Sequence, residues 1–393
     1  MEPERPNQHE NLPHEAGGAE VPATAELSAP PEGSLTPAPE PFGWLRRIFI
    51  GAQGLRAGWS VLIFIISFLV LSGLFVFPLV KFNIIKSGIP STFTAPRMLL
   101  GEGAQFLAVL GAAFVVALVE RRKLVDFNLR GPRRPQHFLG GLAAGFVALS
   151  VLAGLLAIGG WMHVAGVALS GIAIVGNGLL WGGVFFLVGC TEEGMFRCYL
   201  QFTLTRGVNF WWALGLVALM CGSLALTHKG NGAWGVYAIA ILGFFPCLFL
   251  HQVAEVRSDA FWQAAWVTST LFGFVHTSNG GENWIGIFQA AFVGAIFCIS
   301  IRLTGSVWWA IGAHTAWDWA QTFFYGTPDS GMVGQGHFLN STLTGNVLWS
   351  GGADGPEGSV LGIGIMVLLL VWLLAAYGRR AVRQKVAQEQ PAG

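Results

Sequence analysis

The chain has 393 residues and a formal net charge of +1, with no basic stripe able to neutralise a phosphate backbone, which excludes a nucleic-acid partner. Only 11% of its residues are charged while 53% are hydrophobic, and the mean hydropathy is +0.58. A soluble globular chain carries about 25% charged residues, so the composition excludes that class and indicates an integral, polytopic membrane protein.

Residues 1–42 are rich in Pro, Ala and Gly and set eight glutamates, from Glu2 to Glu40, against the single Arg5. Such a segment buries too little apolar surface to fold alone and is predicted as a disordered tail. It lacks the basic start and apolar core of a signal peptide. The stretch "FGWLRRIFIGAQGLRAGW" follows, with Arg46, Arg47 and Arg56 among aromatic residues, the pattern of an interfacial helix.

Spanning helices are expected at about 57–80, 98–120, 138–164, 178–206, 211–228, 233–251, 260–277, 284–302, 305–325 and 358–377, ten in all. Each approaches the roughly 20 residues that cross a bilayer, and none alternates with the period of two that a barrel strand requires. Basic residues sort to one side. Arg46, Arg47 and Arg56 precede the first span, Arg121, Arg122, Lys123, Arg130, Arg133 and Arg134 follow the second, and Arg206, Arg257, Arg302 and Arg379–Lys385 mark the same side later. The opposite loops hold only Lys81, Lys86, Arg97 and Lys229. The positive-inside rule then puts both termini in the cytoplasm and the loop 326–357 outside. Cys190, Cys198, Cys221, Cys247 and Cys298 all lie in apolar segments, without the paired loop spacing of a disulfide frame or zinc cluster.

The chemistry concentrates in three spans. "VGCTEEGMFRCYL" places Glu192, Glu193 and Arg197 inside an otherwise apolar helix, where an ionisable group costs several kcal/mol and usually serves a function. Glu193 and Arg197, four apart, share a helical face and form a natural ion pair, which leaves Glu192 about 100° away without a partner. A desolvated, unpaired carboxylate suits a general base working near neutral pH. The bland alternative is a buried ion-pair network that holds helices in register. "STLFGFVHTSNGG" sets Phe272 four residues before His276, and "GAHTAWDWAQ" sets His314 four before Asp318. Counting 1.5 Å per residue from the inner helix ends puts Glu192, His276 and Asp318 in one layer at about 20–24 Å, with His314 about a turn lower.

These three motifs together resemble the CPBP family of intramembrane proteases, which includes the type II CAAX prenyl endopeptidases and the bacterial abortive-infection-like proteins. The family's EExxxR, FxxxH and HxxxN or HxxxD read here as Glu192–Arg197, Phe272–His276 and His314–Asp318, and the resemblance covers about 178–325. It implies an all-α polytopic bundle of about ten spans with a CAAX-type core at 138–325, flanked by 43–137, with the interfacial helix and first two spans, and by 358–393, with the last span and a basic tail. It implies a peptide or membrane-protein substrate and a site of Glu192, Glu193, Arg197, His276, His314 and Asp318. By the same resemblance Glu192 and His276 activate a water, while His314 and residue 318 stabilise the oxyanion. A bacterial inner (cell) membrane is the expected location.

Two departures stand out. An ionised Asp318 cannot donate to an oxyanion, so it is protonated, orients His314, or binds a metal. Glu192, His276, His314 and Asp318 are plausible ligands for one divalent metal such as zinc, but the chain has no HExxH motif, and metal use is left open. Some 80 residues between the Glu pair and His276 also leave room for a two-span insertion near 211–251. Its "FWWALGLVALMCGSLALTHKGNGAW" echoes "FWQAAWVTSTLFGFVHTSNGGENW" and offers His228 as a rival to His276. A catalytically inactive scaffold and a proton-coupled transporter are the alternative functions.

Overall fold

The computed structural model describes residues 43–51, 54–85, 92–228, 230–253 and 259–378. The expected tail 1–42, the basic residues from Arg379 onward, and Lys86, Lys229 and Arg257 lie outside the described residues. α1 (Gly43–Phe49) precedes a two-stranded antiparallel ribbon, β1 (Ile50–Gly51) with β2 (Gly54–Leu55), and leads to α2 (Ala57–Lys81). β3 (Thr92–Thr94), α3 (Ala95–Glu120), α4 (Arg134–Ile158) and β4 (Met162–Val167) follow. α5 (Ile172–Glu193) continues through a π-helical turn at Gly194–Leu200 into α6 (Gln201–Thr205). α7 (Phe210–Thr227), α8 (Ala233–Val253), α9 (Asp259–His276) and α10 (Trp284–Thr304) come next, then α11 (Trp308–Trp319) with a second π-helical turn at Ala320–Phe324. β5 (Val333–Gln335), β6 (Leu339–Leu343), α12 (Val347–Ser350) and α13 (Val360–Leu373) complete the described chain.

The fold is an all-α polytopic bundle. Its helix ends follow local chemistry: the Asn283 side chain accepts from the backbone N–H of Ile285 and Gly286 at the start of α10, and Ser359 accepts from Gly362 at the start of α13. Eight helices among the described residues are long and apolar enough to cross a membrane. The two remaining members of the expected ten are α9 and α11, which carry the histidines and fall short of that length or hydropathy. α9 is buried without interruption from Gln263 to Thr270, including Thr268, Ser269 and Thr270, and α11 has only 12 residues before its π-helical turn. Enclosed by protein, neither needs an apolar, lipid-facing stripe.

Close backbone approach fixes α11. A Cβ on Gly141 of α4 would run into the Trp309 carbonyl, one on Gly145 into that of Ala313, and one on Gly312 of α11 into that of Phe138. Small residues here let α4 and α11 touch along their backbones, the packing that membrane helices use where lipid removes the hydrophobic drive. The third span ends earlier than expected, at Ile158, and β4 pairs antiparallel with β6. β3 pairs in parallel with β5. The polar segment 326–357 is therefore a structured cap over the end of the bundle where α2, α4, α7 and α9 finish, whereas the sequence reading expects a loop.

Candidate active site

The α5–α6 run carries Glu192, Glu193 and Arg197 at the junction where α-helix gives way to π-helix. The wider π turn is common at functional sites because it re-aims a few side chains without ending the helix. Glu193 and Arg197 are both fully buried, and the guanidinium meets the carboxylate at 3.3 Å (Nε to Oε2) and 3.4 Å (Nη1 to Oε1). Room for this guanidinium comes from Gly294 of α10, where a Cβ would strike Nη2. Its face lies 4.1 Å from the Phe272 ring centroid and 5.6 Å from that of Phe297, so cation–π attraction adds to the ion pair in a desolvated setting.

His314 ties this pair to α11. Its Nδ1 lies 3.0 Å from Glu193 Oε1, and its Nε2 lies 3.3 Å from Asp318 Oδ2 and 3.8 Å from Glu192 Oε2. Both ring nitrogens thus face carboxylate oxygens and are placed as donors. Two expectations change. Glu193 serves His314 as well as Arg197, and Glu192 has a long-range partner in His314 where the helical wheel leaves it alone. On α9, His276 Nδ1 lies 2.7 Å from the Phe272 carbonyl. A carbonyl only accepts, so Nδ1–H donates, and in the neutral ring Nε2 keeps the lone pair.

Glu192, His276, His314 and Asp318 all line one cavity of about 200 Å³. Glu193 and Arg197 stand behind its wall, and His228 lies outside it at the end of α7. Neither α7 nor α8 supplies a lining residue. The cavity also brings in groups that the sequence reading missed: Glu102 of α3, Gln289 of α10, Asp329 and Glu357 of the cap, and Glu282 of the α9–α10 turn, which the Asn283 N–H bonds into the cap at Asp354. Glu102 sits in "MLLGEGAQFL" and meets the same criterion, a charge in an apolar helix, that singles out the Glu pair.

Neutral donors hold the carboxylates at the cap end. Asn279 donates to Glu282 at 2.6 Å, Thr322 to Asp329 at 2.8 Å, and the Ser330 backbone N–H to Glu357 at 2.6 Å. Asp354 accepts from the Asn283 N–H at 3.0 Å. Burial pushes Glu282 up to about 7, with His276 opposing the rise and Glu357 adding to it, and pushes Asp354 up to about 9 with help from Glu357 and Glu282. It raises Asp329 and Glu357 as well.

The donor set does not fit a resident metal in this arrangement. Among the described residues no group of three or more His, Cys, Asp or Glu side chains is spaced to hold a metal ion. His314 commits Nδ1 to Glu193 and turns Nε2 toward Asp318, and His276 commits Nδ1 to backbone.

Residues 244–320 match the family model described as Type II CAAX prenyl endopeptidase Rce1-like. This stretch is similar to the Rce1-like domain. The match is consistent with the CPBP family and runs from the second half of α8 through α9, α10 and α11, so it contains His276, His314 and Asp318. Glu192, Glu193 and Arg197 precede it by some 50 residues and join the site through the fold. No curated protein and no solved structure matches the chain. At the level of the family, the Rce1-like match supports a CAAX-type intramembrane protease with a peptide substrate.

Proposed function

We propose that this chain is an intramembrane endopeptidase that hydrolyses a peptide bond in the cavity between α5, α9 and α11. The observation that carries the reading is the division of labour around His314: this ring lies between Glu193 and Asp318, while Glu192 and His276 face the same cavity without an Arg or Lys partner among the described residues. In the proposed step Glu192 takes a proton from a water, with the Nε2 lone pair of His276 holding the water's second hydrogen. The water oxygen bonds to the scissile carbonyl carbon. The oxyanion accepts from His314 Nε2–H, which turns to it from its 3.3 Å approach to Asp318 while Nδ1 stays on Glu193, so Asp318 need not donate to it. When the C–N bond breaks, the proton on Glu192 passes to the leaving amine, which balances the reaction.

Arg197 acts behind this set as a positioning residue, since it fixes Glu193 and through it His314. The basic loop between α3 and α4, with Arg121, Arg122, Lys123, Arg130, Arg133 and Arg134, supports a cytoplasmic placement for that end and an outward-opening cavity. Cleavage of a peptide library by the purified protein in detergent, in heavy-oxygen water and with a chelator present, tests the proposal. Label in the new carboxyl terminus and retained activity are expected; products without label, or activity that returns only when a metal is added, would refute the direct-water step.

A further inference from the structure

The cavity wall has a one-sided charge inventory. Among the described residues six carboxylates line it, Glu102, Glu192, Glu282, Asp318, Asp329 and Glu357, with two histidines and no lysine or arginine. The Arg197 guanidinium, behind the wall, is paired with Glu193. At the cap end the acceptors exceed the donors. Glu282 Oε2 is buried without a hydrogen-bond partner among the described residues, and so is Oε1 of Gln289, a lining side chain only 3% exposed. Burying acceptors in this state costs free energy, and a cation with several N–H groups recovers it through charge-assisted hydrogen bonds.

We infer that the cavity selects a peptide segment bearing a lysine or arginine side chain, received by Glu282 of the α9–α10 turn and Glu357 of the cap beside His276. A side chain fits better than a bare ion: the described acidic and histidine groups do not converge as a ligand set, whereas an ammonium or guanidinium on a flexible stem reaches separated acceptors. Apolar walls at Phe93, Met98 and Met332 suit the stem. Burial raises the proton affinity of Glu282 and Glu357, and His276 offsets the rise only in part. The inference rests on the peptidase reading for the nature of the ligand.

Binding and cleavage separate the two ideas. Fluorescence anisotropy on the full-length Glu192→Gln protein in detergent and EDTA would compare peptides with randomised neutral flanks and blocked ends that differ at one central position, lysine, norleucine or glutamate. The lysine peptide is expected to bind about tenfold or more tightly than the norleucine peptide, the glutamate peptide more weakly still. Adding Glu282→Gln and Glu357→Gln should erase the lysine preference and leave norleucine binding unchanged. A lysine peptide that binds no better than norleucine, including no measurable binding by either, overturns the inference, as does a preference that survives both substitutions. The wild-type protein is assayed for cleavage of the same peptides. Lysine-selective binding without cleavage supports the charge selection and refutes the peptidase; cleavage blind to lysine does the reverse.

Discussion

α7 and α9 run toward the same end of the bundle, share an aromatic start and a closing histidine, and differ in nearly every contact. α7 buries only Phe210, Ala213, Val217 and Leu224, and leaves Trp211, Leu219 and Leu226 exposed on a surface suited to lipid. α9 is enclosed by α6, α7, α8 and α10 and turns Phe272 onto the Arg197 guanidinium. His228 only caps its own helix, where its N–H donates to the Leu224 carbonyl. His276 lines the cavity with Glu192, His314 and Asp318. Two similar helices thus acquire different roles because the π-helical turn after Glu193 offers its buried charge to one and not to the other.

The largest expected effect tests that buried charge. Arg197→Ala leaves Glu193 without its cation and should cost about 3–5 kcal/mol of stability, read as a loss of melting temperature and expression in detergent. Arg206→Ala, at the helix end where the guanidinium meets Glu120 and its side chain keeps 13% exposure, should cost less. Equal melting of wild type and Arg197→Ala would break the contrast between the two helices at its root. Glu193→Ala and Arg197→Ala together should be milder than their sum, because each removes the other's unpaired charge.

Next in size is the histidine pair. His276→Ala should lower kcat/KM for peptide cleavage about a hundredfold, the usual loss for a general-base partner, and His228→Ala should keep most activity. The reverse outcome would mean that α7 is the functional copy. A smaller effect sharpens the comparison at the position where α9 has Phe272 and α7 has Leu224. Phe272→Leu removes the cation–π face and the edge contact with Phe196 at 5.1 Å, and should destabilise by about 1 kcal/mol.

The smallest prediction concerns the cap. Asp354 holds its proton up to about pH 9 when folded, against 3.8 for an ordinary aspartate. The folded state therefore binds more protons across that window, and Asp354 contributes stability that is fully present below about pH 4 and is lost as pH rises toward 9. Melting temperature should fall from acid to alkaline buffer, and Asp354→Asn should flatten the slope. A slope that the substitution leaves unchanged would assign it to other groups.

Much of the site is legible in the sequence because helical spacing is a strong constraint. The Glu193–Arg197 pair follows from a separation of four, and the polar residues of three apolar spans betray a shared interior. Three features escape that logic. The link from His314 to Glu193 depends on how α11 approaches α5, which rests on Gly141, Gly145 and Gly312 being small enough for α4 to hold α11 close. α9 and α11 are read from the sequence as spans, but their enclosure by protein is not, since burial replaces the lipid-facing stripe. Glu282, Asp329 and Glu357 come from segments with no periodicity, brought together by the cap's strand pairs and by the Asn283–Asp354 bond that holds the α9–α10 turn, contacts that no local pattern encodes. Glu102, by contrast, is visible to the criterion that finds the Glu pair.

The central claim, that Glu192 takes the proton of the attacking water, is tested most directly by peptide turnover of the Glu192→Gln protein measured beside its melting temperature. The substitution keeps size and hydrogen-bonding shape while removing the base. Turnover is predicted to fall by at least about a hundredfold with melting unchanged; turnover equal to that of the wild type would contradict the account.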